Sequence, residues 1–137
     1  MKILLIAGGW SSEREVSLAG AAQIEEALYR LGHRVTRFDP LTDFDRLTRA
    51  AAGQDFAFIN LHGQPGEDGL VQAMLNACGL PYQGSGPEPS FLALNKACAK
   101  QIFRASGIAT PDWHMLIGQA PTGWLPNFAF PVFVKPN

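Results

Sequence analysis

Residues 61–69 read Leu-His-Gly-Gln-Pro-Gly-Glu-Asp-Gly. An apolar run, 56–61, comes before the turn, and an apolar segment with helical spacing, 70–78, follows it. A His, a Glu and an Asp therefore stand among three glycines where the chain leaves a strand. Open α/β sheets bind ligands at the carboxyl ends of their strands, so chemistry is expected at this turn.

Working outward, the chain alternates strand and helix. Residues 3–7 form a continuous apolar run ending in Gly8-Gly9, as expected for a strand buried on both faces. A helix is predicted from about Glu13 to Leu31. Its apolar face is Val16, Ala19, Ile24, Ala27, Leu28 and Leu31, and Gly32 is placed to end it. Ser12 and Glu15 have the spacing of a capping box. Residues 34–38 alternate apolar and polar, predicting a second strand nearer a sheet edge. A short helix, 44–51, leads to the third strand, 56–61. Beyond the turn come a helix over 70–78 stopped by Gly79, a short fourth strand at 81–83, and a helix over 90–106. Pro87 and Pro89 can stand only at or before the first turn of that last helix. This order predicts an α/β fold with an open parallel sheet, helices on both faces and right-handed crossovers.

After Gly107 the composition changes. Residues 112–117 and 131–135 read as strands, separated by a loop-like stretch rich in Pro, Gly and aromatics. A strand needs a partner, so the expectation is that these residues are the amino-terminal part of a longer protein.

The 137 residues carry 47% hydrophobic and 17% charged side chains, with a formal net charge of −1 and no basic run. That balance disfavours nucleic acid or an anionic membrane as the main partner. No apolar stretch has the length of a bilayer span. Cys78 and Cys98 sit singly in helical patterns, where buried reduced thiols are expected over pairing or metal binding, in keeping with a reducing cytoplasm.

The turn Gly8-Gly9-Trp10-Ser11-Ser12 has neither the dinucleotide spacing G-x-G-x-x-G nor a P-loop. Glu13, in the first turn of the first helix, complements the helix dipole on the bland reading. With Glu15 already in the capping role, Glu13 is free to face the carboxyl edge of the sheet and hold a substrate ammonium. Asp68 is placed to cap the helix beginning at Gly69. His62, at the mouth of a buried strand, is a candidate ligand or proton-handling group. Glu67 either joins it or hydrogen-bonds backbone amides to hold the loop. No second His or Cys has metal-ligand spacing, so no metal ligands are assigned. Lys96 and Lys100 lie one turn apart. A solvated edge suffices for Lys100, while Lys96 and Lys135 are candidates to reach a cleft and contact polyphosphate.

Four motifs together carry a resemblance. Gly8-Gly9 with Ser12-Glu13-Arg14-Glu15-Val16-Ser17 comes first, then His62-Gly63-x-x-Gly66-Glu67-Asp68-Gly69. Tyr82-x-Gly84-Ser85-Gly86 and Leu94-Asn95-Lys96 follow. In this order they resemble the D-alanine–D-alanine ligase family, which is built on the ATP-grasp fold. Two positions depart from the family pattern: Trp10 replaces a small residue, and Asn95 an acidic one.

The resemblance implies a Rossmann-like amino-terminal substrate domain over 1–94 and the truncated start of an ATP-grasp domain over 95–137. It implies a cytoplasmic ligase that uses ATP and Mg²⁺ to join D-alanine through an acyl phosphate for peptidoglycan synthesis, cell-wall biogenesis and cell shape. Ligases making D-alanine–D-lactate or D-alanine–D-serine share the pattern, as would a non-catalytic module of this fold. Glu13 would hold the ammonium of the first D-alanine, and His62 would orient that substrate. Ser17, Gly63 and Glu67 would line the same site, and Lys96 and Lys135 would contact ATP phosphates. The Mg²⁺ ligands would lie beyond residue 137, leaving these residues alone inactive. A homodimer through the amino-terminal domain is also implied.

Overall fold

The computed structural model describes all residues, Met1–Asn137. Its first elements are β1 (Lys2–Ala7), α1 (Arg14–Arg30) and β2 (Arg34–Phe38). Next come α2 (Pro40–Asp43), a 3-10 turn (Phe44–Arg46), α3 (Leu47–Ala51) and β3 (Phe56–Asn60). After the 61–69 turn stand α4 (Leu70–Ala77), α5 (Pro87–Leu94) and α6 (Lys96–Ala105). The chain divides into two compact units, Met1–Phe91 and Leu92–Asn137.

The first unit holds a parallel sheet in the order β2-β1-β3. Leu4 pairs with Thr36 on one side and Ala57 on the other, so β1 is central and β2 lies at an edge. β1 is apolar throughout because both of its faces are covered. Leu4 and Ile6 pack with Leu47, Ala51, Val71 and Leu75 from α3 and α4. Leu5 and Ala7 pack against Ala21 and Ile24 of α1. Each fully buried Leu or Ile contributes about 1.5–3 kcal/mol. The order reverses across β1 and β3, and a ligand crevice is expected outside the carboxyl ends of those two strands.

Several predicted elements take a different form. The Ser12–Glu15 capping box does not form: Glu13 occupies the N-cap position without a side-chain cap, and the helix starts at Arg14. Val16 and Leu31 are 62% and 71% exposed, because the packing face of α1 runs through Ser17 and Ala21 together with the predicted Ile24 and Leu28. Small residues let α1 approach the sheet closely; a Cβ on Gly20 would stand 2.9 Å from Asn60 Nδ2. At the other end, Gly32 (φ +78) turns the chain and the His33 N–H donates to the Leu28 carbonyl, the expected glycine stop. The helix expected over 44–51 is divided between the 3-10 turn and α3.

The fourth strand is reduced to a single bridge between Ala57 and Tyr82. Pro81 has no N–H, and its carbonyl accepts the Ala57 N–H at 2.8 Å. Beyond the bridge, the Gln83 side chain replaces the backbone. Its Oε1 accepts the Ile59 N–H at 3.0 Å and its Nε2 donates to the Ile59 carbonyl at 2.7 Å.

The single helix expected over 90–106 is two. Asn95 adopts an extended conformation between them, and its side chain accepts the Cys98 N–H at 2.9 Å to cap α6. Pro87 and Pro89 stand in the first turn of α5, where a missing N–H costs nothing. In the second unit, residues 112–117 and 131–135 form no strands. Neither finds a partner for its backbone groups, and Ile117, Phe133 and Val134 are more than 90% exposed. Side chains tether the segment instead. Lys100 Nζ donates to Thr110 Oγ1 and to the Pro111 carbonyl, both at 2.9 Å, and Arg104 pairs with Asp112 at 2.7 Å. Lys100 is thus an anchor rather than a solvated edge.

No helix is long and apolar enough to cross a membrane. Both cysteines are free, but Cys78 is exposed and Cys98 half-buried, so neither is the buried thiol expected.

Candidate functional site

The carboxyl ends of β1 and β3 are joined by a buried hydrogen-bond knot. Ser17 is completely buried. Its Oγ accepts the Gly8 N–H at 2.8 Å and donates to the Asn60 carbonyl, while Asn60 Nδ2 donates to the Ser17 carbonyl at 2.7 Å. Ser17 was expected to line the substrate site; with its hydroxyl occupied and out of reach of solvent, it ties α1 to both strands instead.

Beyond the knot, the Gly8-Gly9 turn is gripped by an ion pair. Asp39 accepts the Gly9 N–H at 3.0 Å and the Leu41 N–H at 2.9 Å, and pairs with Arg14 at 2.6 Å. Arg14 Nη1 also donates to the Gly9 carbonyl at 2.9 Å. Burial pushes the Asp39 carboxyl up, but hydrogen bonds from Arg14, Gly9 and Leu41 and the Arg14 charge outweigh it, leaving the carboxyl below its ordinary value. Both glycines have positive φ, and a Cβ on Gly8 would lie 2.6 Å from the Asp39 carboxylate oxygens. The sequence reading missed Arg14, Asp39 and Asn60. The signal available for Asp39 was its place directly before Pro40, where a short acceptor caps a helix with proline at its first position.

The opposite wall is the 61–69 turn. The Gly66 and Glu67 N–H groups both donate to the Gly63 carbonyl, at 2.9 and 2.8 Å, closing the turn on itself. Gly66 lies against Leu61, where a Cβ would stand 2.2 Å from the Leu61 Cβ. Gln72 Nε2 donates to the Gly66 carbonyl at 2.6 Å from below. Gly69, not Asp68, holds the N-cap position of α4, which starts at Leu70 as the apolar spacing predicts. Asp68 still meets its first turn, accepting the Leu70 N–H at 3.0 Å.

Three candidate groups face this edge. Glu13 is exposed, with no hydrogen-bond or ionic partner for its carboxylate. Its Oε2 lies 3.8 Å from where a Cβ on Gly63 would stand, so the carboxylate is next to the 61–69 turn. Half-buried His62 places Nδ1 4.0 Å from Glu67 Oε1. Glu67 accepts no backbone amide, so it faces His62 rather than bracing the loop. An unpaired carboxylate next to Gly63, on the turn that also carries His62, is suited to a small ammonium-bearing ligand.

Lys96 and Lys135 belong to the second unit. Lys96 is exposed, its Nζ meeting only the Leu94 carbonyl at 3.5 Å, and Lys135 is exposed as well. Two exposed ammonium groups do not make a phosphate cradle, and no group of three or more His, Cys, Asp or Glu side chains comes together to hold a metal. These residues by themselves do not fit a nucleotide–metal site. A surface cavity of about 320 Å³ lies elsewhere in the first unit, at the amino edge of the sheet, lined by Thr48, Ala51, Gln54, Cys78 and Pro81 among others.

No protein-family model matches the chain. It is 66% identical over all of its length to a D-alanine–D-alanine ligase of Nitratidesulfovibrio vulgaris, covering 45% of that protein. It is 61% identical over all of its length to the one of Oleidesulfovibrio alaskensis, covering 44%. The chain thus spans less than half the length of these relatives. Among solved structures, it is similar to the D-alanine–D-alanine ligase of Bacillus anthracis complexed with ATP. The match has TM-score 0.76 and 38% identity, covering 83% of this chain and 37% of that one. Along its whole length in sequence, and in the fold of its parallel sheet, the chain is similar to a portion, less than half in length, of these D-alanine–D-alanine ligases.

Proposed function

We propose that these residues form the first-amino-acid side of an ATP-dependent D-alanine–D-alanine ligase of peptidoglycan synthesis, working in the cytoplasm. The observation that carries this reading is the unpaired Glu13 carboxylate next to Gly63, on the turn that also carries His62. The carboxylate binds the ammonium of the first D-alanine in a charge-assisted hydrogen bond, which fixes one end of a very small substrate. His62, backed by Glu67, closes over the same substrate and orients it. Residues 1–94 act as the substrate domain, and 95–137 begin the domain that takes ATP.

In the complete reaction ATP would supply a phosphoryl group to the carboxylate of one D-alanine, with ADP released, and the amine of a second would then displace phosphate to form the peptide bond. The present residues bind and orient the first substrate. Lys96 and Lys135 form no phosphate cradle by themselves, and ATP and Mg²⁺ would be held by other residues, toward whose bound phosphates these two lysines would add positive charge. The 137 residues alone therefore lack ligase activity.

The test is ADP release and D-alanyl-D-alanine formation by the full-length protein. Glu13→Gln and His62→Ala are each expected to raise the KM for the first D-alanine about tenfold or more, since a charge-assisted contact is lost. Unchanged kinetics for both variants, or turnover by residues 1–137 alone, would refute the reading.

A further inference from the structure

Glu13 and His62 lie on different loops, and little holds their side chains. Glu13 has no partner, and His62 has only Glu67 at 4.0 Å. Their relative position is set by the backbone, and there a single hydroxyl joins them. Ser11 Oγ accepts the Glu13 N–H at 3.1 Å and donates to the His62 carbonyl at 2.6 Å, across 51 residues of sequence. The Arg14 N–H donates to the Ser11 carbonyl at 3.2 Å, so the tight turn from Ser11 into α1 is itself closed. Ser11 also packs against the open side of Gly63, its Cβ 3.1 Å from where a Cβ on that glycine would stand.

We infer that Ser11 is a positioning residue of the first-amino-acid site, its hydroxyl holding the backbones of Glu13 and His62 in fixed register. The inference rests on the roles proposed for those two residues. The hydroxyl uses its one proton toward His62 and a lone pair toward Glu13, so both bonds exist together only with Ser or Thr at this position. Once the two peptide groups are fixed, the separation of carboxylate and imidazole varies only by side-chain rotamer. Losing the hydroxyl lets the two loops part, and the binding groups then have to be brought together by the substrate itself.

The experiment uses the full-length protein and the variants Ser11→Ala, Ser11→Thr, Ser11→Val, Glu13→Gln and the Ser11→Ala/Glu13→Gln double variant. Readouts are the KM for D-alanine, the KM for ATP, kcat and the thermal midpoint. Ser11→Ala is expected to raise the D-alanine KM about tenfold, with the ATP KM changed by less than about twofold. Ser11→Thr restores the parent value. On the Glu13→Gln background, Ser11→Ala adds less than about twofold, because Ser11 acts through Glu13. Ser11→Thr and Ser11→Val are nearly the same size and separate the hydroxyl from folding: at matched thermal midpoints Thr keeps the parent D-alanine KM and Val raises it about tenfold. If Glu13→Gln weakens D-alanine binding but Ser11→Ala is silent, the inference alone is overturned. Equal losses for D-alanine and ATP that track a lower midpoint, or equal losses for Thr and Val, also overturn it. A silent Glu13→Gln overturns the site reading and the inference with it.

Discussion

Removing the Gln83 side chain tests how the outer side of β3 is completed. The primary amide of Gln83 stands in for a missing strand residue, accepting from the Ile59 N–H at 3.0 Å and donating to the Ile59 carbonyl at 2.7 Å. In Gln83→Ala both Ile59 groups lose their partner on a partly buried strand. Each net hydrogen bond is worth about 0.5–1.5 kcal/mol, and an orphaned buried partner costs more, so a loss of about 2 kcal/mol is expected. For a folding unit of this size that corresponds to a fall in thermal midpoint of about 10 °C. Gln83→Glu is the informative control. It keeps the acceptor, loses the donor and sets a carboxylate against the Ile59 carbonyl oxygen, so it should destabilise at least as much at neutral pH. At low pH, protonation of that carboxyl returns a donor and part of the loss is recovered. Urea and thermal unfolding, followed by circular dichroism, give both numbers. A Gln83→Ala protein within about 0.3 kcal/mol of the parent would show that water replaces the amide without penalty, and the edge-completing role would be wrong.

Two further outcomes follow from the walls of the site. The Asp39 carboxyl is held below its ordinary value of 3.8 by Arg14, Gly9 and Leu41. The stability it contributes is therefore present above pH 3.8 and lost as the pH falls through its lowered folded value. Asp39→Asn should lower the thermal midpoint at pH 7 and should cost less as the pH drops below 3.8; a midpoint difference independent of pH would refute the linkage. Gly66→Ala places a Cβ 2.2 Å from the Leu61 Cβ, a contact that requires the backbone to shift. Overpacking of this kind costs about 1–3 kcal/mol, and it should also raise the D-alanine KM by moving His62. Unaltered unfolding and unaltered KM would show that the turn yields freely.

Period and punctuation made the central layer legible in the sequence. The apolar run of β1 and the alternation of β2 identified a buried central strand and an edge strand, and Gly32 correctly marked the end of α1. The turn after β3 was legible because its glycines carry strong backbone constraints. What sequence pattern did not reveal were places where a side chain takes over a backbone role. Gln83 completes β3 in place of a fourth strand, Asn95 divides what read as one helix, and Ser17 ties strands from inside the core. Each is a polar residue in a plausible but ordinary position, and only the partner, far away in the chain, gives it meaning. The apolar stretches after Gly107 were misread for a related reason. A strand exists only through its neighbour, and neither stretch pairs with one, so Phe133 and Val134 are exposed.

The exposed thiol at the end of α4 has a practical consequence. α4 runs back from the carboxyl edge of the sheet, so Cys78 emerges beside the cavity at the amino edge. At about 3.3 Å per residue, the length of β3 separates it from His62 by roughly 15 Å. With Cys98 replaced by serine, a maleimide dye on Cys78 becomes a singly attached optical reporter on the first unit. It sits far enough from Glu13 not to obstruct a ligand, yet on the helix whose first turn the 61–69 loop leads into. Emission from that dye can follow movement of the loop while the carboxyl edge stays chemically untouched.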